Sequence, residues 1–141
     1  MQGFFRRCLL LNRTLITKLN EALAAHGLTY PQWTVIYYVK DQGHSTLVDI
    51  ANYASVKKPI ITRTVQSLEE RGIVRQIPGT DRREKIIVLT ESGERIYQAC
   101  RKLIDNLEQK VLEGIPEEEK RAAFNILPMI RDNLINCGSP R

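Results

Sequence analysis

Residues 55–90, SVKKPIITRTVQSLEERGIVRQIPGTDRREKIIVLT, change hydrophobic period half-way along. Up to Arg71 the apolar residues Ile61, Val65 and Leu68 fall at i, i+4 and i+7, the spacing of one buried helix face. Ser55 is a residue type that caps such a helix, so the pattern predicts a helix from Val56 to Arg71. Gly72 closes it, because glycine enters the left-handed conformation without a Cβ penalty. Beyond Gly72 the period shortens to that of strands. Ile73-Val74-Arg75-Gln76-Ile77 and Lys85-Ile86-Ile87-Val88-Leu89 read as a β-hairpin, joined by the turn chemistry of Pro78-Gly79-Thr80-Asp81.

The flanking sequence fits the same plan. Thr29 and Gln32 form a capping box with Pro31 in the first turn, opening a helix whose buried face is Trp33, Val35, Ile36, Tyr37 and Val39. Thr46 and Asp49 form a second box, opening a short helix over Leu47–Tyr53. Helix, helix, tight turn, helix and hairpin is the order of a winged helix-turn-helix. Thr90 then caps a long helix with Ile96, Cys100, Leu103, Leu107 and Val111 on one stripe. Pro116 and the acids Glu117, Glu118 and Glu119 start a last helix, with Pro128 expected to kink it. The chain begins with Phe4, Cys8, Leu11, Leu15, Leu19 and Leu23 on one helical stripe, widened by Phe5, Leu9 and Ile16 and ended by Gly27. A terminal helix that apolar calls for more partner surface than a small core supplies. The fold class is therefore mainly α with a small β-hairpin (α+β). Its expected divisions are an N-terminal dimerisation helix (1–28), a winged helix-turn-helix lobe (29–91) and C-terminal dimerisation helices (92–141).

Charge points to the partner. Residues 56–85 hold eight basic residues against four acidic ones, a net +4 out of +5 for the whole 141-residue chain. Concentrated on a helix and the hairpin after it, that charge is the footprint of a surface that meets phosphates. With Ile61, Val65 and Leu68 turned inward, Lys58, Thr62, Arg63 and Gln66 face outward. They offer a bidentate guanine reader, an adenine-capable amide and a hydroxyl. Lys57 and Lys58 sit at a helix N-terminus, where the dipole favours acids; an external phosphate would resolve that conflict. Arg82 and Arg83 at the hairpin tip add nothing to a core and suit a narrow minor groove, with Asp81 pairing to orient one of them. Double-stranded DNA is thus the expected partner, contacted by Ser55, Lys57, Lys58, Pro59, Thr62, Arg63 and Gln66 on the helix and Asp81, Arg82 and Arg83 on the wing.

Other classes fit less well. The three cysteines (Cys8, Cys100, Cys137) are odd in number and far apart, which argues against a disulfide framework or a metal site and for a reducing cytoplasm. No apolar run reaches membrane-spanning length. His26 and His44, both read as solvent-facing, have no ligand-spaced partners, and no glycine loop cradles phosphate, so neither enzyme chemistry nor a cofactor is expected. A winged helix binding an acidic protein is the main rival, and a nonspecific architectural DNA binder a further one. Salt dependence separates DNA from protein, since each neutralised phosphate adds about 0.9 to the log–log slope.

LTYPQW (28–33), SLEERGIVRQ (67–76) and above all the wing run DRREKIIVLTESG (81–93) resemble the MarR family of bacterial transcription regulators. The resemblance covers essentially the whole chain and implies a homodimer in which the first helix pairs with the last two. It implies a repressor on a pseudo-palindromic operator with half-sites about one helical turn apart. DNA contacts are implied at Lys57, Pro59, Thr62 and Arg63, and at Arg83 or Arg82. Release by a small ligand, often an aromatic acid, is also implied. Tyr30, Trp33 and Tyr37 with the first helix could line its pocket and Arg13 could meet a carboxylate; the alternative is that Trp33 and Tyr37 are core. A peroxide-sensing branch of the family makes Cys8 a redox candidate. The two tyrosines that would support a reactive thiolate are replaced by Leu9 and Leu19, which favours a buried helix-interface cysteine instead. Cys100 reads as core, and Cys137 as a tail residue open to incidental oxidation.

Overall fold

A computed structural model describes residues 2–81 and 83–138. The chain divides into two compact units, Met1–Ile104 and Asp105–Arg141. Among the described residues the elements are α1 (Phe4–Leu23), α2 (Tyr30–Gln42), β1 (Ser45–Thr46), α3 (Leu47–Ala54), α4 (Lys58–Glu70), β2 (Val74–Pro78), β3 (Lys85–Leu89), α5 (Glu91–Leu112) and α6 (Glu117–Asn136), with a 3₁₀ turn at Ala24–His26. The fold is mainly helical with one small antiparallel sheet, as the alternation of periods implies.

Local chemistry sets most boundaries. Thr29 and Thr46 each accept the backbone N–H of the residue three on, and Gln32 and Asp49 reciprocate, so both capping boxes form. The end of α4 is a Schellman motif. Gly72 takes φ +71, its N–H donates to Glu69 O at 2.9 Å, and the Ile73 N–H reaches back to Leu68 O at 2.9 Å.

Ser55 departs from expectation. It adopts the left-handed conformation (φ 55, ψ 42) and closes α3 instead of capping α4. Its N–H donates to Asn52 O and that of Val56 to Ala51 O, the bonding pattern that glycine provides after α4. The next helix accordingly starts at Lys58, two residues later than its periodicity suggests, with Lys57 at the N-cap and no side-chain cap.

β3 lies at the centre of the sheet, between β1 and β2. The wing register pairs Val74 with Leu89 and Pro78 with Lys85. β1 pairs Ser45 with Ile87 and Thr46 with Ile86; two residues are too few to show a strand period, and the sequence gives no sign of it. Ile36, Val39, Ile50, Ile61, Val65, Leu68, Ile73 and Ile87 are buried together in the first unit. Each such side chain contributes about 1.5–3 kcal/mol of burial, which holds α2, α3, α4 and the sheet as one body.

A polar knot joins sheet to helix. The Thr90 hydroxyl donates to Gly72 O at 2.5 Å and its Oγ1 accepts the Gly93 N–H at 3.0 Å, capping α5, while the Thr90 N–H donates to the Ile73 carbonyl at 3.0 Å. A Cβ on Gly93 would lie 2.1 Å from that carbonyl oxygen.

The terminal helices differ from this core. Of α1 only Leu23 is buried, and Phe5, Leu9, Leu11 and Leu15 are exposed. Cys8, read from the sequence as a helix-interface cysteine, is exposed in the single chain. In the second unit α6 continues through Pro128 and buries no residue, and Phe124 is 78% exposed.

Gly93→Ala should cost about 1–3 kcal/mol, the penalty of forcing a methyl against packed backbone. Urea unfolding would register it as a lower midpoint at unchanged slope; an unchanged midpoint would contradict the close approach.

Candidate nucleic-acid interface

The free face of α4 follows from its buried one. Ile61, Val65 and Leu68 turn inward, which leaves Lys57, Lys58, Pro59, Arg63 and Gln66 exposed and Thr62 half-buried. The Thr62 hydroxyl donates to Lys58 O at 3.0 Å and the Thr64 hydroxyl to Ile60 O at 2.9 Å. Each hydroxyl thus spends its one proton on its own helix and keeps only acceptor capacity, so the outward donors of the face are Lys57, Lys58, Arg63 and Gln66. Ile60 stands in the first turn of the same helix and is also exposed. Reasoning from residue types passed over it, because an isoleucine beside the core position Ile61 looks like more core.

The wing brings cations beside the start of α4. Lys58, Arg83 and Lys85, with Thr46–Asp49 and Glu84, line an open cleft of about 370 Å³. The Asp49 carboxylate there accepts the Thr46 N–H at 3.3 Å. Asp81 accepts the backbone N–H of Arg83 at 3.2 Å. That contact is with the main chain of Arg83 and shapes the turn that presents its side chain; the expected pairing with a wing guanidinium involves Arg82 as well, which lies outside the described residues. Ser55 is exposed just ahead of α4, displaced from the capping role.

Contacts from α2 and the α1–α2 turn locate α4. The Arg71 guanidinium donates to Gly27 O at 2.8 Å and to His26 O at 3.0 Å. The Gln32 amide donates to Ser67 Oγ at 3.0 Å. Cys100 is buried, and burial pushes its thiol above the ordinary value, partly opposed by Arg71; it stays a neutral core residue, as its place on the stripe predicts. His44 is exposed, while His26 is half-buried rather than solvent-facing.

A second cleft, about 220 Å³, is lined by Tyr30, Trp33, Thr34, Tyr37, Tyr53, Arg101 and Ile104. Trp33 is mostly core, stacked on Tyr97 at 5.5 Å between centroids. Lys40 pairs with Glu94 at 2.9 Å beside that stack. Arg13 is exposed on α1 and does not line this cleft. The cation here is Arg101, 5.7 Å over the Tyr37 ring. Its position on α5, twelve residues beyond the wing, gave no signal in the sequence that it would meet α2.

Residues 26–84 match the MarR family profile. The HTH-type transcriptional regulator YwoH of Bacillus subtilis, itself uncharacterized, is 35% identical over 117 residues, 83% of this chain and 85% of that protein. The chain belongs to the MarR family. It is a DNA-binding transcription regulator, and the family is not enzymatic. Solved MarR structures share its fold. Staphylococcus aureus MarR in complex with salicylate and kanamycin aligns with a TM-score of 0.87 at 22% identity, over 97% of this chain and 93% of that one. A mutant Escherichia coli MarR complexed with operator DNA gives 0.82 at 24% identity, over 92% and 94%.

Lys58→Ala should weaken binding to every duplex alike and lower the salt slope by about one, the signature of a phosphate contact. A fluorescence-anisotropy salt series would show it; an unchanged slope would remove Lys58 from the backbone.

Proposed function

We propose that the protein is a homodimeric repressor that occupies a pseudo-palindromic operator and leaves it when a small aromatic acid binds. The observation that carries the operator reading is the uncapped start of α4. Lys57 and Lys58 stand there, and Lys58 lines a cleft together with Arg83 and Lys85, with Arg63 exposed in the next turn. A helix N-terminus with no side-chain cap and basic neighbours suits a phosphate, which places the following turns of α4 against base edges. The exposed apolar residues of α1, α5 and α6 support the dimer. Phe5, Leu11, Leu15, Val111, Phe124 and Leu134 are more apolar surface than a soluble single chain usually leaves in water, and a second copy would cover it. Two α4 helices related by a two-fold axis would read symmetric half-sites. Occupying promoter DNA in the bacterial cytoplasm would block transcription.

The aromatic cleft supports the ligand. It combines tyrosine rings with one guanidinium, the pairing that holds an aromatic ring and its carboxylate. Its volume of about 220 Å³ falls below the ~300 Å³ at which pockets for larger ligands begin, so a single-ring acid is the fitting size. Salicylate is the acid in the S. aureus MarR structure, and it is the natural first probe.

Arg63→Ala should cost about 1–3 kcal/mol at the cognate site and relax selectivity at one base position. Equal weakening on cognate and random duplexes would exclude base reading by Arg63. Arg101→Ala should leave operator affinity near that of the unaltered protein while raising the salicylate concentration needed for release roughly tenfold or more, the loss of a charge-assisted hydrogen bond. An unchanged release curve would move the ligand elsewhere.

A further inference from the structure

We propose that Ile60 reads the 5-methyl group of a thymine in each half-site, supplying apolar base readout next to the polar readout of Arg63. The inference deepens the operator reading above and rests on it.

Ile60 is the third residue of α4, in the turn that enters the groove first when a recognition helix docks by its N-terminal end. It is 46% exposed, whereas its neighbour Ile61 is 3% exposed and belongs to the core. At about 100° per residue, Ile60 and Arg63 stand roughly 60° apart around the helix and one turn apart along it. A guanidinium on one base pair therefore leaves Ile60 against an adjacent one.

The hydroxyl protons at this end are already spent on the helix's own carbonyls, which leaves these threonines no donor for a base edge. Thr62 donates to Lys58 O and Thr64 donates to Ile60 O itself. An exposed β-branched residue gains nothing in a helix, where its propensity is poor. It does suit the one apolar feature of the major groove, the thymine methyl.

The surroundings name the occupant. Lys57, Lys58 and Arg63 flank Ile60, and all are exposed. A second copy of this basic face would be repelled, while a polyanion with an apolar group inside its groove is attracted to the charge and to the side chain alike.

The test starts from an operator selected by the intact protein from a pool of random duplexes. Each thymine of that operator is then replaced singly by deoxyuridine, which keeps every hydrogen-bonding group and lacks only the methyl. The unaltered protein should lose roughly three- to fivefold in affinity at one thymine per half-site, about the worth of one buried methyl group. Ile60→Ala should lose a similar factor on the thymine operator and bind the thymine and deoxyuridine versions equally. Ile60→Leu, which keeps an apolar side chain, should retain part of the methyl sensitivity. Thermal unfolding of both variants confirms that the fold is intact, as expected for an exposed position. Enrichment of an operator with no methyl-sensitive thymine would overturn the proposal alone, and so would a deoxyuridine penalty that persists undiminished in Ile60→Ala. Failure to enrich any sequence over random duplex would overturn the operator reading and this proposal with it.

Discussion

The Arg71 fork, which donates to the carbonyls of His26 and Gly27, ties the far end of α4 to the turn that precedes α2. The C-terminal carbonyls of a helix are spent in its closing motif, here by Gly72 and Ile73, so the helix end needs a side chain to anchor it sideways. Arg71 is that side chain. Its planar fork matches two successive carbonyls in a way that the single ammonium of a lysine does not. Gly27 sits in the left-handed region (φ +67), the conformation that presents its carbonyl to the fork and that favours glycine. Gln32 adds a second tie one turn earlier, at Ser67. With α4 held at that end and by its buried stripe, its opposite end is free to be both basic and uncapped.

That arrangement separates stability from recognition along one helix. Ile61, Val65 and Leu68 bury their side chains in the core, whereas Lys57, Lys58, Arg63 and Gln66 make no contribution to it. The wing repeats the division. Ile87 of β3 is buried between β1 and β2, while Arg83 and Lys85 project at and beside the tip. The positive charge can therefore vary without unfolding the lobe, and the lobe can repack without moving the charge. The tie points of α4, at residues 26, 27 and 32, lie close in the chain to Tyr30 and Trp33 of the aromatic cleft. A ligand that shifted the start of α2 would act on the same carbonyls that hold Arg71.

Much of this was legible from residue types, and the exceptions have physical causes. Both capping boxes, the strand β3, the glycine stop after α4 and the inward positions of α4 follow from local rules that do not depend on distant contacts. Ser55 is a residue type that caps N-termini, but here it takes the left-handed conformation that ends α3, and Lys57 stands at the N-cap of α4 instead. β1 is too short to carry a pattern. Arg101 could not be located because its partner Tyr37 lies on another element, and neither periodicity nor capping pairs them. Arg13, the cation that family likeness suggests for that role, is exposed on α1 and does not line the cleft in the single chain. Ile60 carries no signal of its own in the sequence, since it is the same residue type as its neighbour Ile61, which is buried while Ile60 is exposed.

The most direct test of sequence-specific DNA binding is a fluorescence-anisotropy titration of the full chain against the DNA upstream of its own gene, run across a salt series with excess random duplex. The account predicts tight binding that survives the competitor and weakens steeply as salt rises, since several phosphates are neutralised at once. Binding that random duplex displaces at equal concentration, or that is indifferent to salt, would contradict it.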